Sequence, residues 1–286
     1  MRKHLTSILI AFLLIAGLGI LMYPTVSNLI NQGYASKAIT EYNTIYINTD
    51  EDSLREMVDE ADEYNRQLAQ NFTGFYEESS VPGYEEALNI AGTGIMGYID
   101  IDKINVELPI YHGVDNGVLQ MGVGHIEGSS LPVGGESTHC VLSGHRGLPS
   151  AKLFTDLDKM EIGDTFTITV MDRVLTYRVD QIKIVLPNES ADLMIVDGQD
   201  YCTLVTCTPY GINTHRLLVR GVRIDSDQTG ARRLFVPNEA VKVDRILVAP
   251  VIAIPLLVVV IVLVIAMERY KMKLSERRRN EREAQR

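Results

Sequence analysis

Three residues in this chain combine into recognisable chemistry. Cys207 stands in Thr203-Leu204-Val205-Thr206-Cys207-Thr208-Pro209-Tyr210-Gly211. His145 stands in Leu142-Ser143-Gly144-His145-Arg146-Gly147, and Arg216 in Asn213-Thr214-His215-Arg216-Leu217. A thiol supplies a nucleophile, an imidazole moves a proton near neutral pH, and a guanidinium keeps its charge at any working pH. The three together suit acyl transfer through a thioester, with the arginine favouring a thiolate or holding a developing oxyanion.

The remaining cysteines and histidines compete with these candidates. Cys140, Cys202 and Cys207 are the only cysteines. Cys202 and Cys207 lie five apart on one predicted strand, so they point to opposite faces and do not suit a disulfide. Cys207 ends that strand before a turn-forming Thr-Pro-Tyr-Gly, where a side chain reaches substrate. Cys140 and Cys202 read as core. His145 sits in a glycine-flanked loop after a strand. His125, in Gly122-Val123-Gly124-His125, is its competitor and reads as a hydrogen-bonded loop histidine. Arg146 and Arg220 are alternatives to Arg216. No Cys-x-x-Cys and no paired helical histidines occur, so neither a metal nor a cofactor is expected.

The ends of the chain place this chemistry in space. Leu5 to Met22 is almost wholly apolar after Arg2 and Lys3, and Ile246 to Met267 carries no charge. Each is long enough to cross a bilayer core of roughly 30 Å. No small-residue cleavage site closely follows the first run, which therefore reads as an uncleaved signal-anchor. Arg2 and Lys3 precede it, and Arg269, Lys271, Lys273, Arg277, Arg278 and Arg279 follow the second run. The positive-inside rule puts both ends in the cytoplasm and residues 23–245 outside. Of 27 basic and 37 acidic residues, ten basic and four acidic lie at the two ends, which leaves the exported stretch at net −16. That charge excludes a nucleic-acid partner. The expected organisation is a signal-anchor over 1–22, a helical and lid-like region over 23–94, a catalytic domain over 95–226, a linker over 227–245, a second span over 246–267 and a basic tail over 268–286.

Within the exported stretch, Leu54, Met57, Val58, Ala61, Tyr64 and Leu68 recur at helical spacing, which predicts a helix over 49–70 capped by Thr49. Residues 71–94 read as a plain mobile loop, with a short helix near 84–89. Strands are expected over 97–101, 106–111, 140–143, 165–171, 174–185, 201–207 and 216–224, with short helical pieces over 116–120 and 151–157. So many closely spaced strands suggest a mainly β fold, a closed or nearly closed barrel.

At this point the residues resemble a known family. Leu204 to Gly211 with Arg216 downstream, and Gly144-His145-Arg146-Gly147 upstream, look like the sortases. The longer match is to class C, the pilin-polymerising sortases. It includes Met96-Gly97-Tyr98-Ile99, Leu108-Pro109-Ile110-Tyr111-His112-Gly113, the run from Gly124 to Pro132, and His145 to Ala151. The resemblance covers about residues 40–225, and a second span after the catalytic domain also fits class C. It implies an eight-stranded barrel and a cysteine transpeptidase, with Cys207 as nucleophile, His145 as the acid that protonates the leaving amine, and Arg216 steadying the carbonyl and oxyanion. The implied substrate is a Leu-Pro-x-Thr-Gly-like sorting signal cut between Thr and Gly. The implied acceptor is a lysine of another pilin subunit; the alternatives are a peptidoglycan precursor, and water in a hydrolytic thiol protease. A non-catalytic, membrane-tethered assembly protein is the alternative of another class. One departure stands out: class C enzymes commonly carry an Asp-Pro-aromatic lid motif, and no such tripeptide occurs in residues 65–95. Phe75 and Tyr76, with Glu77 and Glu78 beside them, are candidates to plug the cleft differently.

Overall fold

The structure, a computed structural model, describes residues 2–71, 81–90 and 92–224, together with isolated positions between 262 and 284. It divides into one unit made of residues 1–27 and 238–286 and another made of residues 28–237. The second apolar run, 246–267, lies almost wholly outside the described residues, as do residues 72–80 and the linker.

Helix α1 runs unbroken over Arg2–Asn48, through Pro24. Its stretch from Phe12 is long and apolar enough to cross a membrane by length and composition. The continuation beyond residue 22 as one helix was not legible in the sequence. Thr40, Thr44, Ile45 and Ile47 are weak helix formers, and tertiary burial of Ala35, Ile39 and Tyr42 along one face outweighs propensity. The Tyr42 hydroxyl donates to the Met96 carbonyl at 3.1 Å and accepts from the Met171 amide at 2.8 Å, which ties α1 to the barrel.

Helix α2 (Glu51–Asn71) follows, and Val58, Ala61, Tyr64, Asn65 and Leu68 form its buried face. Asp50 caps it, not Thr49: the Asp50 carboxylate accepts from the Ser53 amide at 2.8 Å, while the Thr49 hydroxyl donates back to Ile45 of α1. Two contacts fix α2 on the barrel. Asn65 exchanges two hydrogen bonds with the Leu131 backbone, and Asp62 pairs with both ends of the Arg173 guanidinium.

Eight strands follow: β1 (Ile95–Ile101), β2 (Val106–His112), β3 (Val123–His125), β4 (Thr138–Ser143), β5 (Thr165–Val170), β6 (Arg173–Val185), β7 (Asp200–Thr208) and β8 (His215–Ile224). They close in the order β1-β2-β3-β4-β7-β8-β6-β5. Closure leaves no unpaired edge. Ile99, Ile110, Leu142, Phe166, Ile168, Tyr177, Leu204 and Val219 fill the core. β3 was missed from sequence because it is three residues long with a glycine at its centre, too short for an alternation to register. Helix α3 (Asn116–Met121) matches expectation and is capped by Asp115. The helical piece expected over 151–157 is a series of turns ending in a 3-10 turn at Leu157–Lys159.

Residues 81–90 correct another expectation. Val81, Tyr84 and Leu88 are buried, so this part of the expected mobile loop is a seated strap. The Tyr84 hydroxyl bonds to the His125 ring and carbonyl and to the Gly113 amide, each at 3.0 Å. His112 reaches the Ala87 carbonyl at 2.8 Å. A buried aromatic with a satisfied hydroxyl anchors a segment that local sequence marks only as irregular. The candidate plug residues Phe75 and Tyr76 lie outside the described residues.

Candidate active site

Strand register brings the three candidate residues together. β4 and β7 run parallel, with His139 opposite Tyr201, Val141 opposite Thr203 and Ser143 opposite Val205. Past the end of β4 the ladder continues through the Gly144 amide to the Val205 carbonyl at 3.0 Å, and the Thr206 hydroxyl donates to the Gly144 carbonyl at 2.7 Å. Two residues beyond the Ser143–Val205 pair stand His145 and Cys207. On the other side β7 pairs antiparallel with β8, and Cys207 is opposite Arg216. Paired residues share a face, and strands lie about 4.8 Å apart. Cys207 and Arg216 therefore face the same way across β7 and β8, and His145 stands two residues past the end of the neighbouring strand β4, at the same end of the barrel.

The face is the outer one. The interior positions of the same strands are Cys140, Leu142, Cys202, Leu204, Leu217 and Val219, all buried. Cys202 and Cys140 are register partners inside the barrel and read as core, as expected; burial pushes the Cys202 thiol well up. Cys207 alone of the three is partly exposed. Burial lowers the His145 pKa below the ordinary histidine value, so its neutral form dominates at neutral pH.

Local packing explains why a glycine precedes the histidine. A side chain at Gly144 would meet the Phe154 ring at 2.6 Å. The Phe154 amide also donates to the His145 carbonyl at 3.1 Å, which fixes the loop from behind. Helix α1 reaches the same loop: Asn31 donates to the Ser150 carbonyl at 2.6 Å, and Asn28 accepts from the Lys152 amide at 2.7 Å.

The arginines sort themselves by partner. The Arg216 guanidinium bonds only to backbone carbonyls, at His215 and Asn213, and among the described residues it has no carboxylate partner. Arg220 shares its face but is held by Asp180 at 2.7 Å and lies 4.2 Å above the Tyr201 ring. Arg146 is paired with Asp158 and bonded to Thr208. Only Arg216 of the three keeps a guanidinium without a fixed counter-charge beside Cys207. His125 is fully buried, hydrogen-bonded by Tyr84, Ser129 and the Ser130 carbonyl, in a strand and not the expected loop.

An apolar floor adjoins the site. Val141, Val205 and Leu218 form a cluster separate from the core, against which Ile126, Val185 and Leu193 pack. Leu193 belongs to the β6–β7 connection, which His139 helps to hold: its ring bonds the Met194 carbonyl at 2.8 Å and the Thr203 hydroxyl at 2.7 Å. Lys183 and Gln181 both bond Asp192 of the same connection. The strip and its clamps were missed from sequence, because Leu193, Val141 and Leu218 meet only through the barrel's register. Among the described residues no group of three or more His, Cys, Asp or Glu side chains is placed to hold a metal.

A closed eight-stranded barrel that brings a thiol and a guanidinium into register, with an imidazole just past the end of the next strand, holds the groups that thiol acyl transfer uses. Residues 99–224 match the sortase domain family. Sortase C1 of Streptococcus agalactiae is 51% identical, superposes with a TM-score of 0.65, and is covered over 100% of its length by 67% of this chain. Sortase C of Clostridium perfringens, solved with the C-terminal cell wall sorting motif, is 45% identical with a TM-score of 0.61, over 67% of this chain and 100% of that one. Sortase D of Bacillus subtilis is 32% identical over 131 residues, 45% of this chain and 63% of that protein. Sortase A of Streptococcus agalactiae matches over 47% of its length, so the chain spans about half the length of these two relatives. The chain belongs to the sortase family, the cysteine transpeptidases, and its structural neighbours are class C sortases.

Proposed function

We propose that this protein is a membrane-tethered transpeptidase that joins pilin subunits. Cys207 attacks the Thr carbonyl of a Leu-Pro-x-Thr-Gly-like sorting signal. Arg216, with no carboxylate partner among the described residues, holds the oxyanion as negative charge develops there. His145, neutral at rest, takes the Cys207 thiol proton as the sulfur attacks and passes it to the departing glycine amine. The Thr–Gly bond breaks, and the Thr carbonyl is left bonded to the Cys207 sulfur. A lysine amine of a second subunit then attacks this thioester. His145, now neutral, takes the proton from that amine, the cysteine thiolate leaves, and an isopeptide bond remains.

The observation that carries this reading is the register pairing of Cys207 with Arg216 on the outer face, with His145 two residues past the end of the neighbouring strand β4. The preference for pilin lysine over a peptidoglycan precursor rests on the class C neighbours. The apolar start of α1 and the flanking charges support a membrane location with both ends in the cytoplasm and the barrel outside. The second span over 246–267 and the basic tail belong to the same proposal.

Mass spectrometry of the product tests it. The full chain in detergent micelles is incubated with a sorting-signal peptide and a pilin domain bearing a candidate lysine. A lysine isopeptide is the expected product. An amide to an added wall-precursor amine, formed in preference, identifies an anchoring enzyme, and a free acid alone identifies a protease. Cys207→Ala removes the thioacyl adduct and all turnover; persistent turnover in that variant sinks the mechanism.

A further inference from the structure

Arg146 is the neighbour of His145 in sequence and of Cys207 in space. Its side chain is only 8% exposed. One arm of its guanidinium donates to the Thr208 hydroxyl at 3.2 Å, and the other is paired with Asp158 in the 3-10 turn at Leu157–Lys159. The Arg146 Cζ lies 6.0 Å from the centre of the Tyr210 ring. The next residue, Gly147, has φ +79°, and a side chain there would meet the same ring at 3.1 Å. Three separate pieces of chain converge on this one guanidinium: the loop carrying His145, the end of the strand carrying Cys207 with its following turn, and the turn at Asp158.

The arm that bonds Thr208 fixes a distance that the backbone alone leaves open. β4 ends at Ser143, so His145 is already beyond the ladder. Thr208 is the residue after Cys207 and is itself buried. The planar guanidinium holds Asp158 and Thr208 in fixed directions at once, which an ammonium does not do. The Arg146 Nε–H is buried with no acceptor among the described residues. A buried donor without an acceptor is costly, and such costs concentrate where geometry serves function.

We propose that Arg146 is a positioning residue that sets the separation of His145 and Cys207 by bracing Thr208 against Asp158. The proposal rests on the transpeptidase reading of the site. It differs from the role of Arg216, since both arms of Arg146 are already engaged by Thr208 and Asp158.

A double-mutant cycle on the full chain in detergent micelles tests the brace. Arg146→Gln, Thr208→Val and the double variant are compared by the rate of Cys207 alkylation with iodoacetamide, and by kcat and KM for a sorting-signal peptide. The other two cysteines are buried, so alkylation reports on Cys207. In Arg146→Gln, kcat is expected to fall by about tenfold or more with KM held within about twofold, because a misplaced acid slows chemistry without weakening binding. Alkylation changes by about threefold or more in each single variant, and the double variant stays within about twofold of Arg146→Gln, since both changes cut one contact. Arg146→Lys keeps the charge without the fork and is expected to remain as impaired as Arg146→Gln. Effects that multiply in the double variant, a wild-type Arg146→Lys, or a raised KM at constant kcat would overturn the brace. If Arg146→Gln fails to fold, Asp158→Asn cuts the other arm at a half-exposed carboxylate and carries the same comparison. A wild-type chain that turns over no sorting peptide sinks the transpeptidase reading, and the alkylation cycle then decides the brace by itself.

Discussion

Cys207 owes its exposure to where the strand ends. One residue earlier, the Thr206 side chain points into the barrel and bonds the Gly144 carbonyl. One residue later, Thr208 is buried under Arg146. Between them the thiol alone faces outward, with Arg216 opposite it in register. Arg216→Lys tests whether the guanidinium acts as more than a charge. An ammonium cannot present two parallel donors to one oxyanion, and removing such a donor costs on the order of 10²-fold in kcat. The expected result is a fall of about that size with KM little changed, measured with a sorting-signal peptide; a variant with full kcat assigns oxyanion stabilisation elsewhere. At this scale the sequence was informative. Nucleophile, acid/base and cation were chosen from residue type and flanking turn signals. Residue type alone left Arg220 as an alternative to Arg216, and the family resemblance pointed to Arg216; Asp180 and Tyr201 occupy Arg220.

At the scale of elements, β4 carries a second histidine with a different role. His139 is buried on the outer face, between the Met194 carbonyl and the Thr203 hydroxyl. Desolvation lowers its pKa from 6.5 to about 4, against the smaller opposing effect of the Met194 carbonyl. A histidine whose folded pKa lies below its unfolded value is protonated first in the unfolded chain. Its contribution to stability is therefore intact above pH 6.5 and is lost progressively as the pH falls from there to about 4. The shift corresponds to a loss of about 3 kcal/mol across that window. Thermal unfolding in detergent at pH 7 and pH 4.5 is expected to show a lower Tm at the acidic pH, with the gap narrowed in His139→Asn. An unchanged gap removes His139 from the account. The β6–β7 connection that His139 holds was not visible as structure in the sequence, since a loop's position depends on contacts with strands far away in the chain. The strap at residues 81–90 was hidden for the same reason: Tyr84 is an ordinary aromatic until His125 and Gly113 receive its hydroxyl.

At the scale of the whole molecule, α1 does two jobs along one axis. Its stretch from Phe12 is apolar and largely exposed, whereas its later turns pack on the barrel through Tyr42 and touch the loop behind His145 through Asn28 and Asn31. Tyr42→Phe leaves the ring but strips the hydroxyl from two buried backbone groups, at Met96 and Met171. An unsatisfied buried group costs about 1–3 kcal/mol, so a Tm drop of several degrees is expected in calorimetry of the full chain. A Tm equal to wild type means that α1 is held by apolar contact alone.

The sequence by itself determined the parts and their chemistry. Residue types marked Cys207, His145 and Arg216, alternation marked seven of the eight strands, and local hydrophobicity marked an apolar N-terminal helix; each of these properties is carried within a few consecutive residues. Tertiary structure alone decided how the parts meet. Closure of the barrel sets β4 beside β7 and β7 beside β8, which pairs Cys207 with Arg216 and brings the loop carrying His145 to the same end of the barrel. The same register buries Cys140 and Cys202, assembles the strip of Val141, Val205 and Leu218, and places Arg146 against Thr208. None of these pairings is local, because register between strands is fixed by the packing of the whole barrel and not by the residues that it brings together.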